Sequence, residues 1–171
     1  MKLSQLFPSV LAIALVSALY IFIVQYFQIS ALWLPYIGWS VYCIAGGKPS
    51  LLPKMIAGFA GGMFVGVLTV LSIGPATGFI GSTLALPLVV FFMVLFILLM
   101  ELIKPIDMIP AYFFAYSSYF AYFYGKFGGE KATSVGILPE FFVLLMIGLG
   151  LGFLTAEIRR KIMHMQGIAQ I

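Results

Sequence analysis

Charge is the scarcest feature of this sequence: Asp and Glu together number five, Lys and Arg nine, with a single His and a single Cys. One cysteine excludes an intrachain disulfide, and one histidine without a Cys or carboxylate cluster around it leaves no metal site of known spacing. No Ser/His/acid, Cys/His or paired-carboxylate constellation can be assembled without drawing residues from opposite membrane faces, so the expectation is a noncatalytic protein without a cofactor. The basic residues are scattered at helix ends, and no basic stripe interleaved with aromatics points to nucleic acid. Strands are disfavoured as well, because no ten-residue alternation of apolar and polar residues, as a membrane barrel requires, is present.

What is abundant is apolar surface. The 171 residues are 63% hydrophobic and 8% charged, with a mean hydropathy of +1.17, whereas soluble domains are roughly 45–50% apolar and about 25% charged. The fold class expected is therefore all-α, a polytopic membrane helix bundle filling residues 1–171 as a single domain with no soluble extension. A helix crossing about 30 Å of hydrocarbon needs about 20 apolar residues. Six segments qualify: Pro8 to Gln28, Ala31 to Gly47, Leu52 to Ile73, Leu84 to Ile103, Ile106 to Gly125 and Ile137 to Ile158. Pro8, Pro53, Pro87 and Pro139 stand near helix starts, where the missing N–H costs nothing, and Gly46-Gly47 and Gly128-Gly129 mark ends. The second segment is the shortest, with a tilted or broken turn conceivable at Pro35. Ser72-Ile73-Gly74-Pro75-Ala76-Thr77-Gly78 reads as a turn after the third. The first run exceeds a signal-peptide core and lacks a cleavage site, so it is expected to be retained.

The distribution of basic residues sets orientation. With both termini cytoplasmic, Lys2, Lys48, Lys54, Lys104, Arg159, Arg160 and Lys161 lie inside and only Lys126 and Lys131 outside. The cationic tail from 159 to 171, with His164, suits anionic headgroups.

The second half of the chain echoes the first. Leu34-Pro35 resembles Ile109-Pro110, after which Ser40 and Cys43 fall opposite Ala115 and Ser118. Leu52-Pro53-Lys54 matches Leu138-Pro139-Glu140, and Gly62 and Gly66 fall on Gly148 and Gly152. Three helices per copy force the copies into opposite orientations, so a 3+3 inverted repeat with halves near 1–78 and 79–160 is expected. Gly58, Gly62 and Gly66, like Gly148, Gly152 and Ala156, recur every fourth residue and give each helix a smooth groove for close backbone approach. Helix packing is the plainer role for them, with contact to a solute as the alternative.

Ionisable groups within a bilayer are expensive and merit a functional hypothesis each. Glu101 and Lys104 are spaced to pair along one helix face near Asp107. Glu140 sits at the start of the last span, where the helix dipole favours an acid and where it could guard a vestibule. The fifth segment carries Tyr112, Tyr116, Tyr119 and Phe123 on one side and Ala111, Ala115, Ser118 and Gly125 near the other. A narrow path between the second and fifth helices is one reading, lined by Ser40, Cys43, Ser117 and Ser118, with tyrosines as constrictions and Ala115 and Glu140 nearby. The other is that the serines bond back to their own helix carbonyls and the tyrosines only pack.

Gly38-Trp39 leading to Tyr42-Cys43 and Gly46-Gly47, the Ile109-Pro110-Ala111 start of an aromatic-rich helix, and the glycine-rich last span resemble the YcdZ-like family of small bacterial inner-membrane proteins of unknown function. That resemblance covers most of the chain; it implies an inner-membrane location and assigns no activity. Size and span count are also similar to those of proton-gated urea and amide channels, which assemble as oligomers, an analogy of architecture alone. The functional expectation is a homo-oligomeric channel or facilitator for a small neutral or weakly polar solute. The alternatives are a secondary transporter and a noncatalytic assembly partner.

Overall fold

The computed structural model of the chain describes residues 3–130 and 132–167, without the side chain of Ser4. Lys2, Lys131 and residues 168–171, which contribute to the charge asymmetry and the cationic tail, lie outside the described residues.

Six α-helices follow one another: α1 (Leu3–Tyr26), α2 (Leu34–Ile44), α3 (Leu52–Ile80), α4 (Ser82–Leu99), α5 (Ile109–Tyr124) and α6 (Leu138–Met165). Short 3-10 turns at Pro49–Leu51, Met100–Leu102 and Lys104–Ile106 complete the connections, and no strand occurs among the described residues. Pro35, Pro53, Pro110 and Pro139 all occupy first helical turns, where fixed φ is pre-set for the helix, whereas Pro8 and Pro87, expected near starts, lie inside α1 and α4 because each helix begins five residues earlier. Gly46 and Gly47 leave α2 with φ of 73° and 66°, and Gly81 stops α3 with φ 79°. A β-carbon is strained in that left-handed region.

Several boundaries depart from the sequence reading. Helix α3 continues through Gly74-Pro75 to Ile80, so the expected turn at Ser72–Gly78 is helix. Proline is tolerated inside membrane helices because local adjustments accommodate the disturbed backbone; Pro75 removes only the bond that its position would give to the Leu71 carbonyl, five residues before the helix ends. Helix α6 runs past Ile158 to Met165, since Glu157 to Lys161 are good helix formers and Glu157 pairs with Arg160 one turn on. Helices α1, α3, α4 and α6 are long and apolar enough to cross a membrane, which makes this an integral membrane protein. At 1.5 Å per residue α2 reaches only about 16 Å and α5 about 24 Å, against about 30 Å of hydrocarbon.

Packing crosses between the two halves of the chain. The broadest contacts join α2 to α6 and α5 to α3; α1 also packs on α6, and α4 on α3. Smaller contacts of α2 with α5 and of α3 with α6 close the middle. Helices α1 and α4 are outermost and turn apolar side chains such as Leu15, Phe22, Phe91 and Phe92 outward, the arrangement expected where lipid is the solvent.

The buried positions fall in two matching registers. On α6 they are Phe141, Leu144, Leu145, Gly148, Leu149, Gly152 and Thr155. Each stands 86 residues after a buried position of α3, from Met55 (55 to 141) through Gly58, Phe59, Gly62, Met63 and Gly66 to Thr69 (69 to 155). On α2 the buried Leu34, Pro35, Gly38, Val41 and Tyr42 each stand 77 residues before a buried position of α5: Ala111, Tyr112, Ala115, Ser118 and Tyr119. Pro35 therefore takes the place of Tyr112, not of Pro110, a shift of two residues from the alignment of the Leu-Pro and Ile-Pro dipeptides.

Two sets of connectors mark the two ends of the bundle. At one, Ser30 donates to the Phe127 carbonyl at 3.2 Å and the Trp33 and Phe127 rings meet edge to face at 5.7 Å. At the other, Lys54 and Asp107 form an ion pair at 2.7 Å, tying the start of α3 to the turn before α5. The latter end holds the start of α1, the end of α6 and every described basic residue except Lys126.

Candidate functional site

The close seams are built from glycine. A β-carbon at Gly58 would stand 2.5 Å from that of Ala111, one at Gly62 2.8 Å from that of Ala115, and one at Gly66 2.5 Å from Tyr119 Cδ1. On the other seam a β-carbon at Gly148 would stand 2.9 Å from Gly38 Cα and one at Gly152 2.7 Å from Tyr42 Cβ, while Ala156 lies beside Gly47. At Gly62, Gly148 and Gly38 the nearest atom is backbone of the facing helix, and at Gly58, Gly66 and Gly152 it is a side chain seated in the glycine's place; dispersion there supplies the attraction that a hydrophobic drive cannot supply within lipid.

Helix α5 brings the polar groups inside. Tyr112, Ala115, Tyr116, Ser118, Tyr119 and Tyr122 are all buried, so the tyrosine and small-residue sides distinguished in the sequence both face protein. The exposed positions are Pro110, Ser117, Ala121 and Tyr124. Thr69 of α3 donates to the Val65 carbonyl at 2.8 Å, leaving its oxygen to accept from the Tyr116 hydroxyl at 3.1 Å. Tyr119 donates to the Ser134 carbonyl at 2.8 Å and so fastens the 125–137 connector over one end of α5. In low-dielectric surroundings such partners are needed, since a buried hydroxyl without one costs about 1–3 kcal/mol.

Two hydroxyls on α5 lack such a bond. Tyr122 is fully buried and its hydroxyl makes no hydrogen bond of full geometry among the described residues, while the Glu140 carboxylate lies close enough to accept from it. Ser118 is buried and forms no hydrogen bond among the described residues. They are four residues apart and share one face of the helix. At the equivalent positions of the other seam α2 carries Val41 and Ala45, so packing alone does not call for hydroxyls there.

The remaining sequence candidates do not join them. Ser40 and Cys43 lie on the exposed face of α2. Ser117 is exposed on α5 and bonds back to the carbonyls of Phe113 at 2.8 Å and Phe114 at 3.3 Å. Glu140 is exposed in the first turn of α6. Ser40, Cys43, Ser117 and Ser118 thus do not converge on one lumen, because α2 turns Ser40 and Cys43 away from the seam that holds Ser118. Among the described residues Glu101 and Lys104 form no ion pair; Lys54 pairs with Asp107 and Lys126 with Glu130. Thr69 and Tyr122 escaped the sequence reading, and Gly38 entered it only through the family resemblance. Thr69 was discoverable as a lone hydroxyl in the register of the α3 glycines, seven residues after Gly62.

Two shallow concavities open on the outside of the bundle. One, of about 350 Å³, lies on the apolar face of α4 between Pro87 and Leu98; the other lies at the end of α6. Neither adjoins Ser118. Among the described residues no group of three His, Cys, Asp or Glu side chains is placed to hold a metal ion.

Residues 10–159 match the model of the DUF1097 family, described as a protein of unknown function. That match covers most of the chain, which therefore belongs to this family. No curated protein and no solved structure matches it.

Proposed function

We propose that this DUF1097 member is a noncatalytic facilitator that lets a small neutral or weakly polar solute cross a bacterial inner membrane, working as a homo-oligomer with both termini in the cytoplasm. The observation that carries the reading is a pair of buried hydroxyls one turn apart, Ser118, which forms no hydrogen bond among the described residues, and Tyr122, whose one near acceptor is the exposed Glu140 carboxylate, inside a bundle read as surrounded by lipid. A solute able to donate and accept hydrogen bonds would satisfy both, and Glu140 stands where α6 begins, beside Tyr122.

In this reading the six helices form two inverted triplets, with α2 and α5 as short spans completed by their flanking turns. The constant separations between buried positions support that plan, as does the exchange of partners between halves. The charge distribution supports cytoplasmic termini, and the YcdZ-like resemblance fits an inner-membrane location.

The test is flux into liposomes containing the purified protein, measured for a panel of neutral solutes from urea to glycerol. Permeation above protein-free vesicles is expected for at least one, with Ser118→Val and Tyr122→Phe lowering it several-fold. Saturation coupled to a proton or sodium gradient would indicate a secondary transporter instead. A second reading, a membrane assembly subunit, is favoured by the close glycine contacts along both seams and by the position of these two concavities outside them. Folded protein that conducts none of these solutes would end the facilitator reading and leave this one.

A further inference from the structure

Helix α6 is longer than a bilayer requires. Counting from Leu138, about 20 residues cover about 30 Å of hydrocarbon and end near Glu157, yet the helix continues to Met165. Arg159, Arg160 and Lys161 therefore begin where hydrocarbon gives way to headgroups, with His164 one turn further out. Arg160 is held by Glu157. Arg159 and Lys161 are exposed and form no ion pair among the described residues, and from Glu157 to Gly167 the only carboxylate is Glu157 itself. A concavity of about 390 Å³ is lined by Arg160, Lys161, His164 and Met165, so cations and an exposed thioether side chain, 78% accessible, border the same space.

We infer that this overhang of α6 is a binding site for the phosphate group of an anionic phospholipid. Guanidinium and ammonium donors suit phosphate oxygens, and the site lies at the depth of a phospholipid headgroup. Met165 and the half-buried Ile162 and Met163 offer apolar surface to the first carbons of the acyl chains, which a free phosphate ion would not use. At the opposite end of the bundle the described cation is Lys126, which is paired with Glu130, so among the described residues the unpaired cations lie at the end that holds the α6 overhang.

The experiment uses full-length protein in a neutral detergent, titrated with phosphatidylglycerol or phosphatidylcholine, with bound lipid counted by native mass spectrometry. Preferential retention of phosphatidylglycerol is expected. The double variant Arg159→Gln/Lys161→Gln should weaken it about 30-fold, about 5-fold for each charge near the membrane surface, with phosphatidylcholine binding unchanged. Arg159→Lys/Lys161→Arg should retain it, and Lys126→Gln should have no effect. Equal binding of the two lipids, or unchanged affinity in the double variant, would overturn the site. Displacement of the lipid by millimolar inorganic phosphate would reassign it to a free anion and overturn the lipid assignment.

Discussion

Alanine at Gly148 should loosen the bundle, whereas alanine two residues on, at Gly150, should not. A β-carbon at 148 would stand 2.9 Å from both the Pro35 carbonyl carbon and Gly38 Cα, and closer still to the Pro35 carbonyl oxygen. All three atoms are backbone, so no rotamer change relieves the contact. Ordinary carbon contacts begin near 3.5 Å, so α2 must retreat from α6 by roughly half an ångström or more over its broadest contact. Overpacking of this kind costs about 1–3 kcal/mol. At Gly150 a β-carbon meets nothing within 4 Å. Both substitutions gain the same helix propensity over glycine, up to about 1 kcal/mol, and that gain cancels in the comparison. The difference between the two variants therefore isolates the seam. For a chain of this length about 1 kcal/mol moves Tm by about 2–4 °C, so Gly148→Ala should melt about 2–12 °C below Gly150→Ala. The measurement is thermal unfolding of both in one detergent, followed by the fluorescence of Trp33 and Trp39 beside and on α2. Equal melting temperatures would refute close backbone approach as the basis of the α2–α6 contact.

Three further outcomes follow from particular bonds. Tyr119→Phe should destabilise by about 0.5–1.5 kcal/mol by leaving the buried Ser134 carbonyl without its donor, whereas Tyr122→Phe should cost less because its hydroxyl makes no bond of full geometry and the nearby Glu140 carboxylate is exposed to water; paired denaturation curves check this, and equal losses would contradict it. A double-mutant cycle with Lys54→Gln and Asp107→Asn should give a coupling of at most about 1 kcal/mol that shrinks in high salt, since both side chains are about a third exposed; a larger, salt-insensitive coupling would mean the pair is sealed from water. In a Cys43→Ala background, Glu130→Cys should react with an impermeant maleimide on intact cells and Lys48→Cys should not; the reverse pattern would invert the assigned orientation.

Elements governed by local chemistry were legible in the sequence. Pro53 and Pro139 at helix starts, glycines at every fourth position and the number of apolar runs all depend on neighbours within a few residues, and all six helices fall within or across the expected segments, although Pro8 and Pro87 lie inside α1 and α4. The α5 register was misread by two residues because Leu34-Pro35 and Ile109-Pro110 mark where helices begin. What aligns the seams is which backbone Gly62 and Gly148 admit, Tyr112 and Ala115 in one case and Pro35 and Gly38 in the other. Gly74-Pro75 carries a strong turn signal in water, yet helix is kept there because a membrane solvent makes open backbone costly. Ser40 and Ser118 could not be separated without the azimuth of their helices: both are small hydroxyls in apolar runs, and only packing decides that one is exposed and the other buried. That the Tyr122 hydroxyl lacks a bond of full geometry is a property of its surroundings and leaves no mark on the chain itself.

The exchange of partners also governs how the chain can come into being. The first two helices to leave the ribosome find their main neighbour, α6, only when synthesis is nearly finished, and until then α3 is the only large surface made, waiting for α4 and α5. Each half on its own would lack the helix against which its leading members settle. Cutting the gene in the middle should therefore yield two fragments that are degraded when made separately and persist when made together.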